Sequence, residues 1–185
     1  MTGSISEGDA ILYMKVGTHA DEDLASIIKR KRQEIQDAGF SLWGYGGNTC
    51  HPTTMVQPFA DAAANAGKPI RLVMQRVNSR HFIQSQAKRY SADGVTWQPI
   101  PTGILVTGSR HALCLKSLEE ADFDLRLPDT RVAHGPSKGR AGDKYIKGHV
   151  DKACLEVVAP TLEDATPIHI SLIAELQAPY AVLLD

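Results

Sequence analysis

Residues 10 to 16 read AILYMKV, an apolar run broken only by Lys15. A short, mostly apolar run of this kind reads as a buried strand. The period then changes. In THADEDLASIIKRKRQEIQDAG, Leu24, Ile27, Ile28, Ile35 and Ala38 recur at helical spacing and fall on one face. Thr18 or Asp21 is positioned to cap this helix, and Asp21, Glu22 and Asp23 crowd its first turn, where the helix dipole favours anions. Gly39 stands where a left-handed residue ends a helix. A short strand is expected from Phe40 to Tyr45. A second helix is expected from about Pro58 to Ala66, closed by Gly67.

From residue 69 onward the strand period dominates. PIRLVMQRV is a strand, and KRYSADGVTWQPI is a hairpin turning at Asp93-Gly94, which tolerates the positive φ angles of a tight turn. GILVTG and RHALCLKSL read as two further strands. Ser117 to Glu120 has the form of a capping box for one helical turn. DTRVAH is a brief strand. KYIKGHVDKACLEVV fits strand or helix, and its β-branched content favours strand. PIHISLIAELQ and YAVLLD close the chain as strands. The sum is an α+β fold in a single domain over residues 1–185. Two N-terminal helices pack on a largely antiparallel, strongly curved sheet or open β-barrel. Small barrel-like modules of the PUA kind, which read nucleic acid, are similar in their order of elements, a likeness of fold alone.

Composition narrows the classes. The chain has 185 residues, 43% hydrophobic and 22% charged, enough apolar material for a core and ordinary for a globular domain. The net charge of -1 supplies no overall field toward nucleic acid or membranes, so any anion site must be local. MTGSISEGDA has no apolar leader, and no run approaches the roughly 18 apolar residues of a spanning helix. Cys50, Cys114 and Cys154 show no CxxC spacing, which argues against a disulfide framework or structural zinc. The expectation is a cytoplasmic protein without a cofactor or metal.

Two stretches carry candidate chemistry. The first is LWGYGGNTCHPTT. Trp43 and Tyr45 alternate with glycine on one side of a short strand, a possible stacking surface for a flat ring. Gly46 and Gly47 permit close approach of a ligand, and Cys50 and His51 follow. The alternative is a tight turn whose tryptophan plugs the core. Cys50 is also a candidate nucleophile, although neighbouring His51 is badly placed to act as its base. The second stretch is HGPSKGRAGDKYIKGHVDK. Five basic residues, among them Lys138, Arg140 and Lys144, stand against two acidic ones. Ser137 and the amides around Gly135, Gly139 and Gly142 could converge on a phosphate. The alternative is a solvated loop. The Lys29-Arg30-Lys31-Arg32 run reads as the wet face of a helix.

Of seven histidines, His81 and His111 lie in no motif, whereas two stand in H-x-[ST] form: His51-Pro52-Thr53 and His169-Ile170-Ser171. On a strand, i and i+2 face one side, so His51 with Thr53 and His169 with Ser171 could flank one phosphate as acid, base and donors. The pair of motifs resembles that of the 2H phosphoesterases. HISL matches their alternation, and HPTT departs from it at Pro52 and Thr54. The leading reading is recognition of a phosphate-bearing aromatic ligand, a nucleotide or a modified base in nucleic acid. One competitor is a phosphodiester or nucleotide-processing enzyme, a hydrolase that the resemblance implies would use His51 and His169. The other is an interaction protein, for example a dimer that buries Trp43.

Overall fold

The computed structural model describes residues 5–19, 22–81, 85–107, 110–147 and 150–185. Among the described residues nine strands form one mixed sheet: β1 (Ala10–His19), β2 (Ser41–Tyr45), β3 (Ile70–His81), β4 (Arg89–Ser91), β5 (Gln98–Pro99), β6 (His111–Leu125), β7 (Thr130–Val132), β8 (Lys152–Val157) and β9 (Ile168–Leu184). Seven of them run in the order β2-β6-β9-β3-β1-β8-β7, and the β4–β5 hairpin attaches to the end of β9. β1 and β3 pair in parallel, and every other ladder among the described residues is antiparallel. The parallel pair follows from the chain between the strands, which carries α1 (Leu24–Ala38), β2 and α2 (Gln57–Asn65). A third, one-turn helix, α3 (Gly142–Tyr145), comes late rather than early.

The sheet is open and does not close into a barrel. It is nonetheless curled. β2 and β8 are five strand spacings apart, about 24 Å in a flat sheet. Yet Lys152 Nζ on β8 lies 6.0 Å from the Tyr45 ring on β2. The concave face holds the main core. Alternation on β1 sends Leu12, Met14 and Val16 into it, together with Leu72, Met74, Leu113 and Leu115. Leu24, Ile27 and Ile28 of α1 and Phe59, Ala60 and Ala63 of α2 cover them. The other face carries two smaller clusters. One gathers Ile11, Tyr13, Leu155 and Ile146, and the second lies under the β4–β5 side with Leu42, Ile104, Val106 and Cys114. Burial pushes the Cys114 thiol up to about 12, as suits an inert core residue.

Several expectations change. Asp23, not Thr18, caps α1, accepting the Ser26 N–H at 2.7 Å; Thr18 belongs to β1, and Asp21 lies outside the described residues. Ser117 to Glu120 is no helical turn but the middle of β6, because pairing with β9 overrides local capping chemistry. GILVTG makes only an isolated bridge at Thr107. The two C-terminal strands are one, β9. Its register on β6 jumps from Ala181 opposite Leu113 to Leu176 opposite Leu115, and the intervening residues form a bulge with Tyr180 at φ 68. Proline at a bulge removes no ladder hydrogen bond. KYIKGHVDKACLEVV splits into α3 and β8.

The basic run on α1 is not wholly wet. Lys31 is 4% exposed and donates to Glu34 Oε2 at 3.1 Å and to the Leu105 carbonyl at 2.6 Å. Glu34 also accepts the Ser41 hydroxyl and the Leu105 N–H, the latter at 3.0 Å. This satisfied polar cluster ties α1 to β2 and to the segment around Leu105. Gly142 has a packing role: a Cβ there would run into Thr130 Oγ1 and come within 3.0 Å of the Leu127 carbonyl. Gly142→Ala is therefore expected to destabilise the domain by about 1–3 kcal/mol, the usual cost of overpacking, as measured by denaturant unfolding.

Candidate functional site

The curl of the sheet creates a seam where the end of β2 approaches β8, and the first candidate stretch crosses it. After Tyr45 the chain turns through Gly46 and Gly47, whose φ of 87° calls for glycine. It folds back because Tyr45 Oη donates to the Cys50 carbonyl at 2.5 Å. Cys50 is itself left-handed at φ 57 and 1% exposed, and its Sγ lies 3.8 Å from Cys154 Sγ on β8. Burial and the hydrogen bond with Cys50 hold the Cys154 thiol above its ordinary range, the hydrogen bond first. A π-helical turn, Pro52–Val56, then leads into α2. Such turns recur at functional sites.

His51 caps the π turn. Its Nδ1 accepts the Thr53 N–H at 3.3 Å and lies 3.2 Å from the Thr53 hydroxyl. In the neutral ring this leaves the proton on Nε2. Thr53 therefore orients His51 instead of standing beside it as a second donor. His111 opens β6 directly opposite Tyr45. Its ring lies 5.3 Å from Tyr45 and 5.2 Å, edge to face, from His51. His111 is 6% exposed, and its buried Nδ1 makes no hydrogen bond of ordinary geometry among the described residues, although the Arg110 backbone lies close enough to favour its protonated form. Burial, chiefly, and the neighbouring His51 hold its imidazole below the ordinary histidine range, so it is neutral at pH 7. Lys152 completes the group. Its Nζ caps the Tyr45 ring and lies 3.7 Å from where a side chain on Gly47 would begin. Burial also pushes the Tyr45 phenol well up, so that it stays a donor.

The second stretch meets the first. A Cβ at Gly135 would lie 2.9 Å from Met55 Sδ and Cε, so this loop packs on the π turn. Tyr145 of α3 packs against the cluster on the opposite face of the sheet, and burial, chiefly, pushes its phenol up. Lys138 and Arg140 are exposed and Ser137 is half-buried. Three of the amides in this loop are in use: Lys138 donates to the Gly135 carbonyl, Gly139 to Val132 and Arg140 to Ser137. Lys144 is engaged by Glu163 at 3.1 Å and Asp143 at 3.5 Å.

Trp43 is 7% exposed and sits in the concave core, pointing the same way as buried Tyr45. Neither ring offers an open stacking face. His169 is separated from the seam. It lies opposite Asp124, thirteen positions along β6 from His111, an extended contour of about 40 Å. Asp124 and Asp122 flank it at 3.2 and 3.3 Å, and carboxylates there would repel a phosphate. His51 with Thr53 and His169 with Ser171 do not converge, which removes the geometry that the 2H resemblance requires. Sequence reasoning missed His111, Lys152 and Cys154. The i, i+2 spacing of Lys152 and Cys154 on one strand face was a usable signal, and only strand register reveals His111. Among the described residues no three His, Cys, Asp or Glu side chains are grouped to hold a metal ion, and no helix is long and apolar enough to cross a membrane. No family model, no curated protein and no solved structure matches the chain significantly.

Proposed function

We propose that this protein recognises a phosphate-bearing ligand, a nucleotide or a modified base in nucleic acid, at the seam between the Gly46–His51 loop and β8. The observation that carries the reading is His111. A buried ring nitrogen with only the poorly aligned Arg110 backbone near it costs up to about 1–3 kcal/mol, so its retention calls for a reason. An anion would supply the partner, and it would meet His51 and Lys152 as well, neither of which forms an ion pair among the described residues. Gly46 and Gly47 admit the ligand close to the backbone. Exposed Lys138 and Arg140 serve further phosphates, and the half-buried His51 ring takes the stacking role first assigned to Trp43 and Tyr45.

Titration calorimetry with nucleoside mono-, di- and triphosphates and short oligonucleotides tests this. Binding should weaken with salt. Lys152→Ala with His111→Asn should weaken it roughly 10- to 100-fold, the worth of one or two charge-assisted hydrogen bonds. An anion favours protonated His111, so affinity should rise as pH falls below about 6.5, the ordinary histidine value, toward the lowered value of the free protein. His111→Asn should flatten that dependence. Absence of binding by every probe at low salt, or equal affinity in the double variant, overturns the reading.

The catalytic alternative now rests on a different pair. His51 and His111 are adjacent imidazoles at one site, and the same variants assayed on cyclic and linear phosphodiesters would lose turnover by about 10² to 10⁴ if they act as acid and base. The dimer reading loses its motive, because Trp43 is already buried within its own chain.

A further inference from the structure

We propose that Cys50 and Cys154 are a redox dithiol, and that a small disulfide of the glutathione class converts them to an intramolecular disulfide that staples the end of β2 to β8 across the seam. This stands apart from the ligand reading and rests on different observations. The two sulfurs are in van der Waals contact at 3.8 Å, although 104 positions separate them in the chain. Forming the bond needs a closure of less than about 2 Å to the disulfide length of about 2.05 Å. Their surroundings divide the movement. Cys154 lies in β8, held on one side by β1 and on the other by the Ala133 N–H bonded to its carbonyl. Cys50 ends a loop whose Gly47 and Asn48 are exposed, so the loop side is the one able to approach.

The backbone at Cys50 is the second observation. Eight of the ten positive-φ residues described are glycine, the residue that adopts this conformation without steric cost. Cys50 holds φ 57 with a side chain, and that side chain points at the other thiol. A left-handed cysteine is uncommon and costs free energy, which packing against one further sulfur does not require. Cys114 shares none of this. It lies in the cluster on the opposite face.

The chemistry balances as two exchanges. The Cys50 thiolate attacks one sulfur of the small disulfide, forming a mixed disulfide and releasing one small thiol. Cys154 then loses its proton and attacks Cys50 Sγ, releasing the second small thiol. The protein pair is oxidised by two electrons and the reagent is reduced to two thiols. The raised thiol of Cys154 makes it a poor first nucleophile, and in the second step its contact with Cys50 Sγ at 3.8 Å offsets the small thiolate fraction. Both thiols are almost fully covered, so the first step waits on opening of the loop and is expected to be slow.

The test uses the folded wild-type chain with oxidised glutathione, followed by alkylation, digestion under non-reducing conditions and mass spectrometry. The expected product is a single cross-link between the peptides of Cys50 and Cys154, a loss of two hydrogen atoms, with Cys114 alkylated. The oxidised protein should melt about 5–15 °C higher, since the bond closes a loop of roughly 100 residues, and dithiothreitol should restore the original value. Cys114→Ser should leave the cross-link unchanged, and Cys154→Ser should leave a stable glutathione adduct on Cys50. Three free thiols after prolonged treatment of the native protein overturn the proposal, provided the unfolded chain is oxidised under the same conditions. A persistent adduct on wild-type Cys50, or a cross-link that involves Cys114, overturns it too.

Discussion

Trp43→Ala is expected to destabilise the domain by about 3–5 kcal/mol, measured as a shift of the unfolding midpoint in denaturant. The indole is 7% exposed and lies in the concave core, on the strand directly beside Leu113. Truncation would lose its transfer free energy and leave a cavity under the edge strand β2, which among the described residues pairs only with β6. A spectroscopic experiment checks the premise without relying on a variant that unfolds. In a Trp97→Phe protein, fluorescence reports Trp43 alone. Its emission should be blue-shifted, insensitive to acrylamide and little changed by any nucleotide. Red-shifted emission quenched by acrylamide would mean that Trp43 is wet and would return it to the role of a stacking platform.

The second large effect lies on α1. Lys31→Met should cost about 3–5 kcal/mol, because it leaves the Glu34 carboxylate buried without its closest cation and the Leu105 carbonyl without its donor. Arg30 Nε, 3.6 Å from Glu34 Oε1, provides partial compensation and favours the lower end of that range. The energy belongs mainly to the uncompensated charge. The double variant Lys31→Met with Glu34→Gln should therefore be more stable than Lys31→Met alone, a coupling that a double-mutant cycle measures. The loss should also persist in high salt, since mobile ions do not screen a buried pair as they screen a surface one. A loss below about 1 kcal/mol would place Lys31 on the wet face of the helix, as its charged neighbours suggest.

Lys31 illustrates how far the sequence alone could go. A run of four basic residues on a helix has the signature of solvation, and exposed Lys29 and Arg32 are consistent with it, whereas Arg30 is half-buried and paired with Glu22 and Glu34. What distinguishes Lys31 is the segment around Leu105, seventy-odd positions away, which brings a carbonyl and an amide to the helix surface. Nothing local to the run encodes that approach. Ser117 to Glu120 shows the converse. Its capping chemistry is real but local, and a ladder with β9 satisfies the same backbone groups over a longer stretch.

What the sequence by itself determined is the part controlled by period and punctuation. The apolar run of β1, the helical spacing of α1, the left-handed Gly39, the turn at Asp93-Gly94 and the early placement of two helices each depend on residues within a few positions of one another. The two glycine-rich stretches were visible for the same reason. Only the tertiary structure decided which strands are neighbours, and with it the site. His111 becomes interesting because it stands opposite Tyr45, and Cys154 and Lys152 because the sheet curls until β8 reaches the end of β2. His169 loses its role because β9 carries it to the far end of the ladder. Curl and register are set by the summed twist and packing of the whole sheet, and no short window of residues contains that sum.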